Sequence, residues 1–359
     1  MISLKQRVAD AFGQVDLSQG IRHELWNEYY DDYPDDFPCR SDDGKHSLRM
    51  VLDCWQWPKS SDFIELNTFP DNEETPYSEN IQGLTHLDDH WVFFPRDRKV
   101  FVWPVTSDIV NGGGYESITV GPSQLDIQYN HFGDGGAKLV DANKQIWQVF
   151  TAIEGKVPNV IGIFEVYMVP DIQVFYRDSQ VLFDPQNQGT NSAPWCTYDP
   201  HNDRIYSSLF NYTTNNGFQI YFYTYTGPFD GLQGRSSAFT IKRYDGSPFP
   251  VYKRIQGGTI ASRAHLYLAS DNRGIDENNR GVSGFDLVSG RQMVYLHVDR
   301  IAPTYDYEIE GLTAWDVSQK NAPFVGGVLH LSILNNDAFE QDNMFIKHWD
   351  LPANKRHLL

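Results

Sequence analysis

The stretch YEIEGLTAWD, residues 307–316, contains the pattern that decides the fold of this chain. Its centre, Ile-Glu-Gly-Leu-Thr, returns in altered form as IQGLT at 81–85 and as IQGGT at 255–259. A motif that recurs along one chain indicates a repeated structural unit. The last copy differs from the other two because Glu310 stands where they have glutamine.

The spacing of the copies predicts the number of units. The second and third copies are 54 residues apart (255 to 309), and the first lies 174 residues before the second (81 to 255). That gap has room for two more units, and degenerate openings follow residues 129 and 191. The segment AIEGK at 152–156 mimics the motif but lacks the threonine and falls between two later strands, so it is set aside. Five units are therefore predicted.

Each unit has the pattern of a series of short β-strands. Apolar and polar residues alternate, and aromatic and β-branched residues dominate, as in strands with one face in a core. Second strands are predicted at 90–94, 145–150, 204–210, 265–270 and 329–334, and third strands at 100–105, 160–167, 219–225, 281–287 and 344–351. Fourth strands are predicted at 125–129, 180–184, 239–244 and 293–298.

The fifth unit has no fourth strand after it, whereas DFIELNTF at 62–69 has the pattern of a strand and precedes the first unit. An N-terminal strand that completes the last sheet closes a ring and removes an open edge. The predicted fold is all-β: a single five-bladed β-propeller over 62–351 whose last blade is closed in this way. Residues 352–359 form a C-terminal tail, and 1–61 form an extension with a short helix and an acidic loop.

Charge and composition exclude several classes of function. The net charge of -18 and a pI of about 4.9 repel phosphate backbones and anionic lipid head groups, so neither nucleic acid nor a membrane surface is an expected partner. No apolar run reaches the roughly 20 residues that span a bilayer. The N-terminus lacks the apolar segment of a signal peptide, and we expect a cytoplasmic protein. The sequence carries no signal for an oligomeric state.

Familiar catalytic motifs are absent from the chain. Cys39, Cys54 and Cys196 are too scattered for a disulfide framework or a zinc site with paired cysteines. No G-x-S-x-G, Walker A, H-E-x-x-H or G-x-G-x-x-G sequence occurs. Any chemistry is therefore expected to come from acidic and amide side chains and to need no organic cofactor.

The first strand of each blade lines the central channel of a propeller. Glycine there allows close approach of neighbouring backbones, and threonine can bond to backbone groups. The residue before the glycine is then expected at the mouth of the channel. These ring positions are assigned to Gln82, Asp134, Trp195 (or its neighbour Pro194), Gln256 and Glu310, with His131, Tyr305, Tyr307 and Glu308 beside them.

Three interpretations of this ring stay open. The polar groups can bond to one another and to water as a channel lining. Glu310 or Glu308 can work with Asp134 as an acid–base pair while His131 orients groups or shuttles protons. The ring can also bind a ligand such as a sugar without chemistry. In the catalytic interpretation the substrate is bound by Gln82, Gln256, Trp195, Tyr305 and Tyr307.

A metal site is a variant of the ring. Oxygen ligands from Glu308, Glu310 and Asp134 suit Ca²⁺ better than Zn²⁺. The loop DNRGIDENNRG at 271–281 lacks the residue order of an EF-hand and is interpreted as a solvated loop. Calcium bound by the three acids is the one metal that this sequence suggests.

The three motif copies and their strand series resemble the β-propeller superfamily over about residues 62–351. The five-blade count is similar to that of tachylectin-type lectins, arabinanase-type glycosidases and calcium-dependent apyrases. A lectin of that type implies near-identical pockets between blades, and these blades diverge. An arabinanase-type site implies three carboxylates on separate inner strands, for which Asp134 and the Glu308 and Glu310 pair are candidates. The resemblance implies a ligand site at the channel mouth without choosing its chemistry.

The favoured hypothesis is an enzyme that acts on an uncharged or cationic small molecule by acid–base chemistry at the mouth. Cyclisation, isomerisation, elimination and glycoside hydrolysis all fit this hypothesis. It rests on the polar ring residues, which differ from blade to blade, whereas a lectin is expected to repeat its site. The alternative is a carbohydrate-binding or protein-interaction propeller without catalysis.

Overall fold

The computed structural model of the chain describes residues 57–66, 81–95, 99–109, 116–119, 129–155, 159–182, 193–212, 218–225, 232–243, 245–248, 252–261, 265–271, 280–299, 306–323, 325–336 and 343–359. Within these ranges the only helical elements are single 3-10 turns at Ser60–Asp62 and Arg356–Leu358. No helix in them is long and apolar enough to cross a membrane. The helix and acidic loop predicted for residues 1–61 lie almost wholly outside the described part of the chain.

Five four-stranded antiparallel sheets form the blades. Blade 1 contains β2 (Ile81–Leu87), β3 (His90–Pro95), β4 (Lys99–Pro104) and β5 (Glu116–Thr119), and blade 2 contains β6 (Tyr129–Asp141), β7 (Ile146–Gly155), β8 (Val160–Tyr167) and β9 (Gln173–Val181). Blade 3 contains β10 (Cys196–Asp199), β11 (Arg204–Ser207), β13 (Gln219–Tyr225) and β14 (Leu232–Thr240), and blade 4 contains β16 (Ile255–Ile260), β17 (His265–Ser270), β18 (Gly281–Asp286) and β19 (Gln292–His297). Blade 5 contains β20 (Asp306–Ala314), β21 (Leu329–Asn336), β22 (Asn343–Asp350) and β1 (Ile64–Glu65), and a small separate sheet pairs β12 (Asn211–Tyr212) with β15 (Tyr252–Lys253).

The inner strands β2, β6, β10, β16 and β20 contact one another in blade order, and β20 returns to β2. The ring is closed by β1, which pairs with β22 so that Ile64 lies opposite Asp350 and Glu65 opposite Trp349. The predicted five-bladed propeller and its closure by an N-terminal strand are therefore confirmed. The end of the channel at which the inner strands begin is called the N-terminal mouth below.

Asp134 of β6 lies on the axis of the ring and is fully buried. Its Oδ1 accepts the backbone N–H of Leu84 at 3.0 Å, and its Oδ2 accepts those of Gly258 at 2.9 Å and Leu312 at 3.1 Å. Its own backbone N–H donates to the carbonyl of Pro194 at 3.0 Å. One aspartate therefore joins the inner strands of all five blades.

The repeated motif gives this aspartate its surroundings. In each clean copy the residue after the first glycine donates its N–H to Asp134, and that glycine leaves room for the contact. A Cβ atom on Gly83 would lie 2.4 Å from Cα of Asp134, and one on Gly311 would lie 2.8 Å from Oδ1. The glycine of the motif is thus required by the close approach of three strands to one side chain.

The second glycine of the copy IQGGT is required by a different contact. A Cβ atom on Gly258 would lie 2.5 Å from the indole ring of Trp195, which occupies the space that a leucine side chain would need. Trp195 is fully buried and donates its indole N–H to Oγ of Ser208 at 2.8 Å. Gly258 and Trp195 are therefore complementary parts of the packing between blades 3 and 4.

The apolar core lies between neighbouring blades. Trp91, Phe93 and Trp103 of blade 1, for example, pack with Trp315 and Ile346 of blade 5 in one buried cluster. Faces of both sheets are removed from water in such clusters, which is the main source of stability for a closed ring of small sheets.

The predicted fourth strands are wrong in part. The outer strand of blade 1 is β5 rather than 125–129, of which 125–128 lie outside the described residues and Tyr129 begins β6. In blades 2 and 3 the outer strands begin earlier than predicted and overlap the predictions only at their ends, whereas β19 agrees with its prediction. The outer strand β9 alternates poorly, with Val174 its only buried residue, so its pattern could not be recognised.

Candidate functional site

The N-terminal mouth brings together five of the predicted site residues. Gln82, Gln256 and Glu310 each precede the first motif glycine, while His131 and Glu308 lie slightly nearer the open end of their strands. All five stand one layer above the buried aspartate of the axis. They form a polar layer at the entrance to the channel, and the ligand site was predicted at this entrance.

Glu308 and Glu310 share one amide donor at this mouth. Nε2 of Gln256 lies 3.1 Å from Oε1 of Glu308 and 3.5 Å from Oε1 of Glu310. Glu310 is 2% exposed, whereas Glu308 is partly exposed. Two carboxyl groups that differ in their access to water and meet at one donor can take up the separate roles of acid and base.

Glu308 lies on an extension of the inner strand of blade 5. Strand β16 begins at the motif isoleucine, Ile255, whereas β20 begins at Asp306, three residues before Ile309. The extension carries Glu308 above the ring formed by the other motif copies. No corresponding acid is present in the other two clean copies.

A buried ion pair from blade 4 holds this extension. Oδ1 of Asp271 accepts the backbone N–H of Ile309 at 3.3 Å and the Nε–H of Arg280 at 3.2 Å. Arg280 in turn donates from Nη2 to the carbonyl of Tyr307 at 2.9 Å. The backbone on both sides of Glu308 is therefore fixed by side chains that are almost fully buried.

His131 faces the same mouth from blade 2. Its Nδ1 lies 3.0 Å from Oε2 of Glu154, and its Nε2 forms a short hydrogen bond with Oε1 of Gln82. The side chains of His131 and Glu154 are 31% and 30% exposed. A histidine held between an acid and an amide has a fixed ring orientation and stays within reach of water.

Glu154 is a site residue that was not predicted from the sequence. It lies within AIEGK, the segment that was set aside because it lacks the threonine and was expected between two strands; that expectation is wrong, because β7 includes residues 152–155. Residues 131 and 154 face each other in the register of β6 and β7. Counting outward from the turn of this hairpin would not have paired them, because the register shifts twice between the turn and these residues.

The remaining predicted residues are placed elsewhere. Asp134 lies below the mouth rather than in it, because both of its carboxylate oxygens are bound to backbone N–H groups at the axis. Trp195 is buried in the packing between blades 3 and 4, and Tyr307 is buried with its ring edge against Phe345. Tyr305 lies outside the described residues. None of these four enters the site proposed below.

The three acids predicted to bind calcium are not brought together. Asp134 is occupied at the axis, one layer below Glu308 and Glu310. Across the described ranges, no group of three or more His, Cys, Asp and Glu side chains is placed to hold a metal ion.

Burial dominates the electrostatics of the axis. Desolvation raises the pKa of Asp134 well above its usual range, against the opposing effect of its backbone N–H donors. Desolvation, followed by the nearby charge of Asp134, also raises the pKa of the buried Cys196 thiol. A thiol with a raised pKa is a poor nucleophile at neutral pH, which favours a structural role for Cys196.

Histidines pack around Trp315, near the C-terminal ends of the inner strands β2 and β20. Nδ1 of His86 lies 2.9 Å from Oγ1 of Thr313, and the imidazole stacks on Trp315 with 4.8 Å between ring centroids. His330 donates its Nε2–H to the carbonyl of Trp315 at 2.7 Å, and its Nδ1 lies 2.8 Å from Nδ1 of His348. Burial lowers the pKa of His86 to about 3 and that of His330 to about 4. Histidines that are kept neutral by their packing indicate a structural role at this position.

Comparisons with known proteins give remote structural similarity. No protein-family profile and no curated protein matches the chain. The chain is similar to the solved RS223-β-xylosidase at 9% identity with a TM-score of 0.45, covering 77% of this chain and 94% of that one. A GH43_1 enzyme from Xanthomonas citri has 10% identity and a TM-score of 0.43, with 80% and 90% covered. The periplasmic gluconolactonase of Pseudomonas aeruginosa has 10% identity and a TM-score of 0.33, with 63% and 56% covered.

Similarities at this level do not bear on activity. The propeller fold rests on the strand topology, and function has to be argued from the residues at the N-terminal mouth.

Proposed function

We propose that this propeller is an enzyme that carries out proton-transfer chemistry on a small uncharged molecule at the N-terminal mouth. The observation that supports the proposal most directly is the pair of carboxyl groups of Glu308 and Glu310 that meet at the amide of Gln256. A channel lining needs no such pair, since two other blades have glutamine where Glu310 stands.

The two acids have different roles in this proposal. Glu310 is almost fully buried, and a carboxyl group removed from water favours its neutral form, so Glu310 is the proton donor. Glu308 is partly exposed and acts as the base. The amide of Gln256 keeps the two groups in a fixed relation, because it donates to an oxygen of each.

His131 and Glu154 supply a second proton-transfer group on blade 2. The carboxylate of Glu154 fixes the ring of His131, and the exposure of both side chains lets protons pass to and from solvent. The reaction classes that fit are cyclisation, isomerisation, elimination and glycoside hydrolysis, since each needs one group that gives a proton and one that takes it.

A reaction screen in deuterated water tests this function. The chain is incubated with a panel of neutral sugars, sugar lactones and aryl glycosides, and NMR then detects hydrolysis, loss of water or deuterium incorporated at carbon. We expect the wild-type chain to turn over a member of the panel and the double variant Glu308→Gln with Glu310→Gln to be inactive. Equal turnover by both proteins would reject the proposal, and ligand binding without turnover would favour a binding propeller.

A further inference from the structure

Gln82 and Gln256 occupy the same place in two copies of the motif but turn their amide groups in opposite directions. The amide oxygen of Gln82 faces Nε2 of His131. The amide nitrogen of Gln256 faces the carboxylates of Glu308 and Glu310. The two glutamines therefore offer opposite groups to the channel.

The outward atom of each amide has no protein partner. Nε2 of Gln82 and Oε1 of Gln256 make no hydrogen bond to the part of the chain that the structure describes. Neither atom is among the buried polar atoms that lack a partner, so both keep contact with solvent. An unused donor from blade 1 and an unused acceptor from blade 4 thus stand at one height in the mouth.

Neighbouring side chains fix both orientations. The ionised carboxylate of Glu308, the base of the proposed pair, only accepts hydrogen bonds, so Gln256 presents its nitrogen to it and its oxygen to the channel. The carboxylate of Glu154 lies at Nδ1 of His131, and the amide oxygen of Gln82 lies at Nε2. With its oxygen turned to the imidazole, Gln82 leaves its NH₂ group for a ligand.

We propose that Gln82 and Gln256 are the specificity-determining pair of this site and select a neutral polyhydroxylated ligand. A hydroxyl group both donates and accepts, so one ligand oxygen can accept from Gln82 while another hydroxyl donates to Gln256. A carboxylate would meet the Gln256 oxygen and two acidic side chains. An ammonium group is attracted by those acids but only donates hydrogen bonds, so it cannot accept from the NH₂ group of Gln82 as a hydroxyl group can. The inference rests on the proposed site but concerns binding alone.

NMR titration of the side-chain amides tests this pair. The full chain, labelled with ¹⁵N, is titrated with D-xylose, D-glucose and myo-inositol as neutral probes, and with D-glucosamine and D-glucuronate as charged ones. We expect at least one neutral probe to shift the amide resonances of both Gln82 and Gln256, and to bind more tightly than either charged probe. Gln82→Met and Gln256→Met should each raise the Kd of that probe about tenfold or more. Gln173→Met, on the exposed outer strand of blade 2, is the matched control and should leave the Kd unchanged.

The variant Gln82→Glu covers the case in which Gln82→Met fails to fold. It keeps an oxygen for His131 and replaces the outward donor by an acceptor, so it should also weaken binding of the neutral probe. The proposal is overturned if no neutral probe shifts either amide, if the Met variants bind as the wild type does, or if glucosamine binds more tightly than glucose. Binding of a neutral probe without turnover would support Gln82 and Gln256 as the specificity-determining pair and reject the acid–base function. Turnover that is unchanged in both Met variants would support the acid–base function and reject the role of the pair.

Discussion

Oδ2 of Asp134 accepts the backbone N–H of Leu312 at 3.1 Å, although the two residues are 178 positions apart in the sequence. The same carboxylate binds strands of blades 1 and 4, so a single side chain sets the distance between the strands that carry the candidate site. The polar layer at the mouth is built directly on this contact.

Replacing Asp134 by asparagine should destabilise the whole ring. The amide group cannot accept at both ends, so at least one buried N–H group loses its acceptor and meets another donor. We expect the free energy of unfolding to fall by about 1–3 kcal/mol for each buried N–H group left without its acceptor. Urea denaturation measures the change, with the exposed Asp178→Asn as control. A loss below about 1 kcal/mol, the value of an ordinary hydrogen bond, would show that Asp134 does not hold the blades together.

Gly258→Ala should destabilise the packing between blades 3 and 4. The new methyl group would lie 2.5 Å from the ring of Trp195, and the indole is held in place by its bond to Ser208. Overpacking of this kind costs about 1–3 kcal/mol. The control is Gly326→Ala, whose methyl group would meet only the end of the Leu66 side chain. Thermal unfolding should separate the two variants, and equal melting temperatures would contradict the packing described for Trp195.

Acid should unfold the chain partly through the histidines that pack around Trp315. The unfolded chain takes up protons at these groups near pH 6.5, whereas His86 does so in the folded chain only at about 3 and His330 at about 4. Their contribution to stability is complete above pH 6.5 and is lost as the pH falls toward 4. His86→Gln should therefore lower the slope of stability against pH by up to about 1.4 kcal/mol per unit between pH 4 and 6. His297→Gln, at an exposed position, serves as control; a slope unchanged by His86→Gln would mean that this histidine titrates normally.

Arg280→Lys should impair turnover more than binding. Lysine cannot bond to Asp271 and to the Tyr307 carbonyl in the forked geometry of a guanidinium, so the backbone beside Glu308 loses a support. A misplaced catalytic group lowers kcat, and we expect a fall of about tenfold or more with a smaller change in KM. Arg177→Lys, in an exposed ion pair with Glu165, should leave both constants unchanged. If kcat falls only as far as the loss of folded protein explains, the ion pair has a merely structural role.

The sequence predicted the inner strands well because their close packing around one side chain requires the residues of the motif. Gly83, Gly257 and Gly311 repeat because each of their strands approaches Asp134 closely. The outer strands carry no such constraint. Strand β9 is largely exposed, and without alternation its start could not be recognised.

Asp134 itself was predicted one layer too high. Strand β6 changes register between Phe132 and Gly135, and counting from the second strand does not reveal the extra residue. His131 takes the ring position instead, as its bond to Gln82 shows. In IQGGT, Gly258 stands where the other two copies have leucine. This difference was a signal that another large side chain, here that of Trp195, fills the space of the leucine.

The assignment of acid–base chemistry to the N-terminal mouth is tested most directly by the effect of Glu310→Gln on turnover. The substrate is the one that the reaction screen identifies. Glutamine is the native residue at the equivalent positions 82 and 256, so the ring is known to accommodate it. We predict that kcat falls at least about hundredfold, the usual contribution of an acid–base group, while the melting temperature and the ligand Kd stay near those of the wild type. A kcat within about twofold of the wild type, far short of that contribution, would contradict the assignment of acid–base chemistry to this mouth.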